Sequence, residues 1–157
     1  NKYTVDTKFD ELGRTLGEEL LEPTLIYVPE GGEALERSLH ITGLAHITSD
    51  GLLNLLRLDA QSHAVGYVID QLPPIPPIFS LIQQSGGIPD HEMFQVFNMG
   101  IGFCVVIAET DAESFVDIVK RHGREALQIG RVVSDPERNV VIQPRNLIGQ
   151  GNRFYKV

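Results

Sequence analysis

The sequence predicts an α+β domain with α/β layering, in which helices pack on a mixed β-sheet. Short runs of β-branched and apolar residues alternate along the chain with segments of helical periodicity. Near the carboxyl end two such runs flank a polar turn, which indicates a hairpin. The 157 residues, 42% of them hydrophobic, are enough for one domain that buries a core without disulfides or metals. We therefore treat residues 1–157 as a single domain.

The first third of the chain predicts a helix, a strand and a second helix. Apolar residues at three- and four-residue spacing indicate a helix over residues 8–21, which Pro23 ends. The composition of residues 24–28 (TLIYV) is typical of a short strand. A glycine pair at 31–32 is expected to break the chain before a second helix over residues 33–42.

The middle of the chain alternates between the two kinds of element. In chain order the pattern predicts an extended segment 43–48, an apolar helix 52–58, a buried strand 64–69, a rigid proline-rich connector 72–77, a helix 77–84 ended by Gly86-Gly87, and a helix 91–97 with Asp90 as its N-cap.

The last third predicts one βαβ unit and then a hairpin strand. Strand 102–108, helix 112–122 and strand 126–133 form the unit, whose crossover should be right-handed. A polar turn at 134–139 leads to strand 140–143, which is expected to pair back on strand 126–133. Two glycines and two basic residues in the tail 149–157 favour fraying, so the predicted core spans about residues 13–144.

Charge and composition exclude several classes of protein. The formal net charge of −8 argues against nucleic-acid binding, which needs a basic surface, but a few local donors can still bind a phosphorylated ligand. No apolar run approaches the length of about 20 residues that spans a bilayer, so no membrane partner is expected. The single cysteine, Cys104, suits the reducing cytoplasm and is predicted to lie in the core. The five histidines lack the spacing of zinc ligands, so no metal site is predicted.

The first candidate site is the segment from His46 to Gly51, where a strand end meets a helix start. Free backbone N–H groups, a flexible glycine and the short polar side chains of Thr48, Ser49 and Asp50 suit binding an anion or polarising an amide. His46 can exchange a proton near neutral pH. The alternative is plain helix capping by Ser49 or Asp50, with His46 partly buried and satisfied.

Two further segments are weaker candidates. Asn98, Gly100 and Gly102 stand at the entry to a buried strand, where glycine allows close approach of the backbone; the alternative is a plain turn in which Asn98 bonds its own backbone. The segment 13–24 suggests a rigid junction between a helix and a strand, and its alternative is packing alone.

Three segments, taken in order, resemble one family. They are GRTLGEELLEPTLIYV (13–28), GLAHITSDGL (43–52) and DHEMFQVFNMGIGF (90–103). Together they are similar to the C-terminal domain of the aminoimidazole ribonucleotide synthetases, also called phosphoribosylformylglycinamidine cyclo-ligases. PPIPPIF (73–79) and QIGRV (128–132) look like the same family. The resemblance runs from about Gly13 to Pro144.

The resemblance implies that the chain is the C-terminal half of a two-domain enzyme of purine biosynthesis, usually a homodimer. In that family ATP phosphorylates the formyl oxygen of formylglycinamidine ribonucleotide, an amidine nitrogen attacks, and the imidazole ring closes with release of phosphate. The N-terminal domain supplies most of the ATP and Mg²⁺ site. The resemblance carries a catalytic role to His46, and substrate or phosphate binding to Thr48, Ser49, Asp50, Gly51, Asn98, Gly100 and Gly102.

One departure keeps other hypotheses open. The family usually has His-Ile-Thr-Gly-Gly-Gly where this chain has Ser49-Asp50-Gly51, and Asp50 adds negative charge where a phosphorylated substrate would approach. The related formylglycinamidine ribonucleotide amidotransferases have Ser-Asp-Gly-Gly at this turn, so an ATP-using relative of that kind, or a small-molecule kinase, is the first alternative. A non-catalytic ligand-binding module is the second. The start at Asn1, without Met, fits either trimming or loss of an upstream domain.

Overall fold

A computed structural model describes residues 3–58 and 64–157 and has the predicted α+β class. Its strands, in chain order, are β1 (Lys8–Phe9), β2 (Arg14–Thr15), β3 (Ile41–His46), β4 (Val65–Ile69), β5 (Phe103–Ile107), β6 (Gly130–Ser134), β7 (Val140–Ile142), β8 (Leu147–Gln150) and β9 (Arg153–Lys156). Its α-helices are α1 (Leu16–Leu20), α2 (Val28–Glu36), α3 (Pro77–Gly86), α4 (Asp90–Val96) and α5 (Ala112–Arg121). Short 3-10 helices cover Gly51–Arg57, Glu109–Asp111 and Gln143–Arg145.

The described strands form three sheets, and two of these sheets contribute to the main core. The largest is a mixed sheet in the order β6-β4-β7-β8-β9, in which β4 pairs antiparallel with β6 and parallel with β7. β3 and β5 form an antiparallel pair, and β1 and β2 form another. Residues of β3, the first 3-10 helix, β4, α4 and β7–β9 all contribute to the same buried cluster, which includes Ile47, Leu52, Met93 and Phe154. No helix in the described ranges is long and apolar enough to cross a membrane.

The helix predicted over residues 8–21 is wrong for its first half. The strands β1 and β2 form a tight hairpin there, with Gly13 in the left-handed region at φ +66°. Only Leu16–Leu20 is helical, and it begins at a capping box: the Glu18 N–H donates to Thr15 Oγ1, and the Thr15 N–H donates to Glu18 Oε2. The periodic apolar pattern correctly indicated a helix, but the turn at Gly13 and the capping box at Thr15 determine where the helix starts.

The strand predicted over 24–28 is wrong, because residues 24–27 form no strand, and the helix predicted over 33–42 is wrong in its bounds. Helix α2 begins at Val28 with Pro29 in its first turn, runs through the glycine pair at 31–32 and ends at Glu36. Tertiary contacts override the two glycines, because α2 buries Ala34 and Glu30, and the Glu30 carboxylate lies 2.6 Å from Arg124 Nη1. Ser38 then takes a positive φ of 58°, which ends helical geometry before β3.

The carboxyl-terminal third contains correct elements in a different topology. The predicted strand 102–108 and helix 112–122 are close to the observed β5 and α5, and the strand predicted over 126–133 begins only at Gly130. However, β5 and β6 belong to different sheets, so they form no βαβ unit. β6 and β7 do not form a hairpin either, because the buried strand β4 lies between them. Such long-range pairing leaves no local trace in the sequence.

The tail 149–157 does not fray, and the core does not stop near residue 144. β8 and β9 pair as a hairpin around Gly151, which has φ +62°. Leu147 is 1% exposed and Phe154 is 2% exposed, so both side chains belong to the core. A buried aromatic residue outweighs the turn-rich composition that suggested a loose end.

Candidate functional site

The first two candidate segments meet at one end of the β3–β5 pair. His46 is the last residue of β3 and lies opposite Phe103, the first residue of β5. One residue further, the Ile47 N–H donates to the Gly102 carbonyl oxygen at 2.9 Å. The antiparallel pairing therefore brings the turn after His46 next to the loop that ends at Gly102.

Gly51 makes a second junction between these segments. It is buried, with φ +52°, and packs against the end of α4. A Cβ at this position would lie 2.8 Å from the Phe97 carbonyl oxygen, and closer still to that of Phe94. Only glycine fits, because both the backbone angle and the space exclude a side chain. Since Phe97 precedes Asn98, the contact holds the turn against the start of the second loop.

Asn54, which sequence reasoning missed, shapes the turn from inside. Its side chain is 2% exposed and accepts a hydrogen bond from the Thr48 N–H at 2.9 Å. Its amide nitrogen donates to the Ser49 carbonyl oxygen, also at 2.9 Å. The Gly51 N–H donates to the Thr48 carbonyl oxygen at 3.2 Å. Two of the N–H groups expected to bind an anion, those of Thr48 and Gly51, are thus engaged within the turn, while the Thr48 and Ser49 side chains stay exposed. An asparagine in the apolar run 52–58 was the available signal.

Asp50 does not cap the helix with its side chain. It occupies the N-cap position of a seven-residue 3-10 helix, not an α-helix, with φ +74° and no side-chain capping bond. Its carboxylate instead lies 2.6 Å from Arg57 Nη2, in an ion pair that is about half exposed. Arg57 therefore offsets the negative charge that Asp50 brings to this turn.

In the second loop, residues 98–102, the Asn98 side chain makes a hydrogen bond within the turn. Asn98 Oδ1 accepts a hydrogen bond from the Gly100 N–H at 3.0 Å, which is the plain-turn alternative. Gly100, with φ +94°, packs closely against Pro76 of the proline-rich connector. Gly102 faces the hydroxyl group of Tyr27, which leaves no room for a side chain there. Both glycines thus serve close approach, as predicted for this segment.

An aromatic group surrounds the exposed His46. The Tyr27 ring stacks on Phe103 with centroids 5.0 Å apart, and the His46 ring centroid lies 6.2 Å from Tyr27 and 6.4 Å from Phe103. Burial raises the pKa of the Tyr27 hydroxyl above its usual value, and the nearby Glu30 carboxylate adds to the effect. Tyr27 therefore stays a neutral phenol beside His46 at physiological pH. Sequence reasoning missed it by placing it in a strand.

A shallow depression of about 370 Å³ lies beside the turn. Of the predicted site residues only Asp50 lines it, together with Arg57, Glu137 and Arg138. Its lining carries both charge signs, so it is not a simple anion pocket. His46, Asn98 and the glycines of the second loop do not line it.

The remaining sequence candidates are structural. In segment 13–24, Arg14 contacts Glu19 at 2.7 Å and Glu22 at 2.5 Å, beside the capping box of α1, as the packing alternative has it. Cys104 is buried, and burial raises the pKa of its thiol to about 12, so it is an inert core residue as predicted. Among residues 3–58 and 64–157, no group of three or more His, Cys, Asp or Glu side chains is placed to hold a metal ion.

Comparison with known proteins assigns the fold to a family. Residues 2–143 match the family described as AIR synthase related protein, C-terminal domain. The chain is 46% identical over 127 residues to the phosphoribosylformylglycinamidine cyclo-ligase of Methanococcus maripaludis (strain C5), which is 81% of this chain and 35% of that protein.

Two more cyclo-ligases give the same result. The protein of Methanocaldococcus jannaschii is 46% identical over 128 residues (81% of this chain, 36% of that protein), and that of Bacillus licheniformis is 43% identical over 129 residues (82% and 37%). The chain thus spans about a third of the length of the curated relatives it matches. The family match covers most of the chain, so the protein belongs to the AIR synthase related C-terminal domain family.

Proposed function

We propose that this chain is the C-terminal domain of a two-domain phosphoribosylformylglycinamidine cyclo-ligase. The whole enzyme would convert formylglycinamidine ribonucleotide to aminoimidazole ribonucleotide, with formation of ADP and phosphate, in purine biosynthesis. The observation that carries the proposal is the junction of the two loops: the turn after His46 and the loop 98–102, which the sequence motifs predict as the site, lie side by side at one end of β3–β5.

His46 is the proposed catalytic residue. Its exposed imidazole ends a strand, so the backbone fixes its position while the ring remains open to a substrate. An imidazole there can exchange a proton with the amidine or formyl group of the substrate. The rings of Tyr27 and Phe103 lie beside the imidazole and limit its orientation.

The other predicted residues are proposed to bind the substrate or its phosphate. The exposed side chains of Thr48 and Ser49 offer hydroxyl groups, and Asp50 can orient Arg57 toward an anion. Gly51 keeps the turn in place, while Asn98, Gly100 and Gly102 form the neighbouring wall.

ATP and Mg²⁺ are proposed to bind mainly to the rest of the enzyme. The described residues offer isolated carboxylates and no metal-ligand cluster, so they do not fit a complete Mg²⁺ site, and we assign this chain no step that runs through the metal. Homodimer formation is likewise proposed for the whole enzyme. The isolated domain should be inactive, because most of the ATP and Mg²⁺ site would lie outside it.

The test is turnover by the full-length protein that contains this chain. With ATP, Mg²⁺ and formylglycinamidine ribonucleotide, it should form a diazotisable aromatic amine, detected by the Bratton–Marshall reaction. Absence of the amine with a folded protein would rule out the cyclo-ligase assignment.

His46→Ala tests the site itself. Loss of a general acid–base group should lower kcat by about a hundredfold or more, while stability changes by less than about 0.5 kcal/mol because the side chain is exposed. His40→Ala is the matched control, because His40 is also exposed and immediately precedes β3. Equal turnover in the two variants would remove His46 from the active site.

A further inference from the structure

Exposed apolar side chains are concentrated between residues 20 and 35. Leu21 is 82% exposed, Val28 75% and Ile26 68%, values expected of charged rather than large apolar residues. We call this set the 20–35 apolar surface, and it consists of Leu20, Leu21, Leu25, Ile26, Val28 and Leu35. Other large apolar residues that are exposed in the described ranges are spread singly along the chain. A concentrated apolar surface of this kind marks an interaction site.

Helix α2 contributes an outward apolar face to this surface. Val28 and Leu35 are seven residues apart and therefore lie on the same side of the helix, with Gly32 between them. The opposite side holds the buried Ala34 and Glu30. A shallow depression of about 740 Å³ adjoins Val28 and Gly32, and its lining also includes Glu33, Glu36, Arg37 and His122. The helix thus covers one side and leaves Val28 and Leu35 exposed on the other.

The segment before α2 leaves its backbone unpaired. Among the described residues, the N–H groups of Thr24, Leu25 and Ile26 have no hydrogen-bond partner. Its composition favours a strand, yet it pairs with none. The segment is nevertheless held in place from its other side, since Arg124 Nη1 donates to the Ile26 carbonyl oxygen at 2.5 Å and contacts Glu30. A positioned chain with free amides is suited to receive the edge of another strand.

We propose that the 20–35 apolar surface is the docking site for the part of the cyclo-ligase polypeptide that lies outside the matched third. This inference rests on the proposed function and names the partner of the same domain. The curated relatives that the chain matches have nearly two thirds of their length outside the matched stretch, which is enough polypeptide to cover this surface. An apolar face of that polypeptide would cover Val28 and Leu35, and the edge of one of its strands would pair with residues 24–26.

Charge argues against two other occupants. Glu18 and Glu36 precede and follow the surface in the chain, so an interface with a second copy would gather carboxylates from both copies. Hydrogen bonds from Thr15 lower the pKa of Glu18, so this carboxylate stays charged. An anionic membrane would be repelled by a chain with a net charge of −8.

Hydrogen exchange in the full-length protein tests the proposal. The amides of residues 24–26 should exchange about tenfold or more slowly than unprotected amides, because docking pairs and covers them. Val28→Glu should return them toward the unprotected rate, and Leu21→Glu should act in the same direction. Glutamate suits position 28 within the domain, since that residue is in the first turn of a helix.

Val157→Glu is the matched control, because Val157 is 77% exposed and Val28 is 75% exposed. It should leave exchange at 24–26 unchanged. Near-unprotected exchange in the unmodified protein, or an equal response to both valine variants, would overturn the proposal. Protection that disappears on dilution, with a fall in sedimentation mass, would overturn it in favour of a second copy. Turnover is scored separately, so protection without cyclisation refutes the proposed function alone, and cyclisation without protection refutes the docking site alone.

Discussion

The turn 46–54 and the segment 20–35 lie on the same domain. They differ in how many of their polar groups are hydrogen-bonded and how many of their apolar side chains are buried. In the turn, Asn54 bonds Thr48 and Ser49, Gly51 packs on α4, and Arg57 pairs with Asp50. In the segment 20–35, six large apolar side chains face solvent, and the amides of residues 24–26 have no partner among the described residues. The domain therefore supports its candidate site with its own contacts, whereas the segment 20–35 keeps apolar side chains exposed and, within the described ranges, the amides of residues 24–26 unpaired.

This difference shows what each region needs. A site that orients reacting groups requires a supporting layer that is already formed, so its polar groups are bonded within the domain. A docking surface requires exposed apolar area, which lowers the solubility of the domain until a partner covers it. Substitutions in the turn should consequently damage the isolated domain, and substitutions at the exposed apolar residues of the segment should matter mainly in the full-length protein.

The largest effect is expected at Gly51. Gly51→Ala should destabilise the domain by about 3 kcal/mol, because the new Cβ collides with carbonyl oxygens of α4 at a left-handed backbone position. Urea denaturation measures the change. Gly123→Ala is the control: Gly123 also has a positive φ of 73°, but nothing lies within 4 Å of its would-be Cβ, so it should cost only about 1 kcal/mol. Equal losses would show that α4 yields and that the turn is not held rigid.

Asn54→Ala should cost about 2 kcal/mol. It leaves the Thr48 N–H and the Ser49 carbonyl oxygen without their buried partner. Asn54→Asp keeps the acceptor for the Thr48 N–H and loses the donor to the Ser49 carbonyl oxygen. Comparing the two variants should therefore separate the stability contributions of these two hydrogen bonds. Turnover of the full-length enzyme should fall in both variants, and an enzyme that loses stability but not kcat would show that the shape of the turn is irrelevant to catalysis.

Glu33 tests how α2 is anchored. Hydrogen bonds from Arg121 and His122, and an additional one from Arg37, lower the pKa of Glu33 to about 2. Because the folded pKa lies below the unfolded value, this stabilisation is present above about pH 4.5 and is lost as pH falls toward 2. Glu33→Gln should flatten the pH dependence of the unfolding free energy across that window. An unchanged slope would mean that α2 is held by its buried face alone.

The smallest effect is expected for the ion pair of Asp50 and Arg57. Both side chains are at least half exposed, so a double-mutant cycle with Asp50→Asn and Arg57→Gln should give a coupling of about 0.5 kcal/mol or less. The measurement is chemical denaturation at low and high salt. A coupling well above 1 kcal/mol would mean that the ion pair stabilises the turn, and that Arg57 is not free to bind an anion.

The sequence predicted what depends on short stretches of chain. The strands at 65–69 and 103–107 and the helices at 77–86, 90–96 and 112–121 follow from apolar runs, prolines and glycines that act locally. The same holds for the core position of Cys104 and for the turn after Gly86. The ordered motifs by themselves also indicated the family, and the family match confirms it.

Tertiary structure decided the rest, because those features depend on residues far apart in the chain. Residues 28–36 are helical despite a strand-like start and two glycines, since the helix buries Ala34 and an ion pair between Glu30 and Arg124. β4 lies between β6 and β7, and Phe154 anchors a tail that looked loose, because pairing and burial are settled by partners that no local window contains. The sequence alone indicated which turn is the candidate site. Only the fold showed that Asn54 and Gly51 hold it against the loop at Asn98, and that the six side chains of the 20–35 apolar surface are exposed.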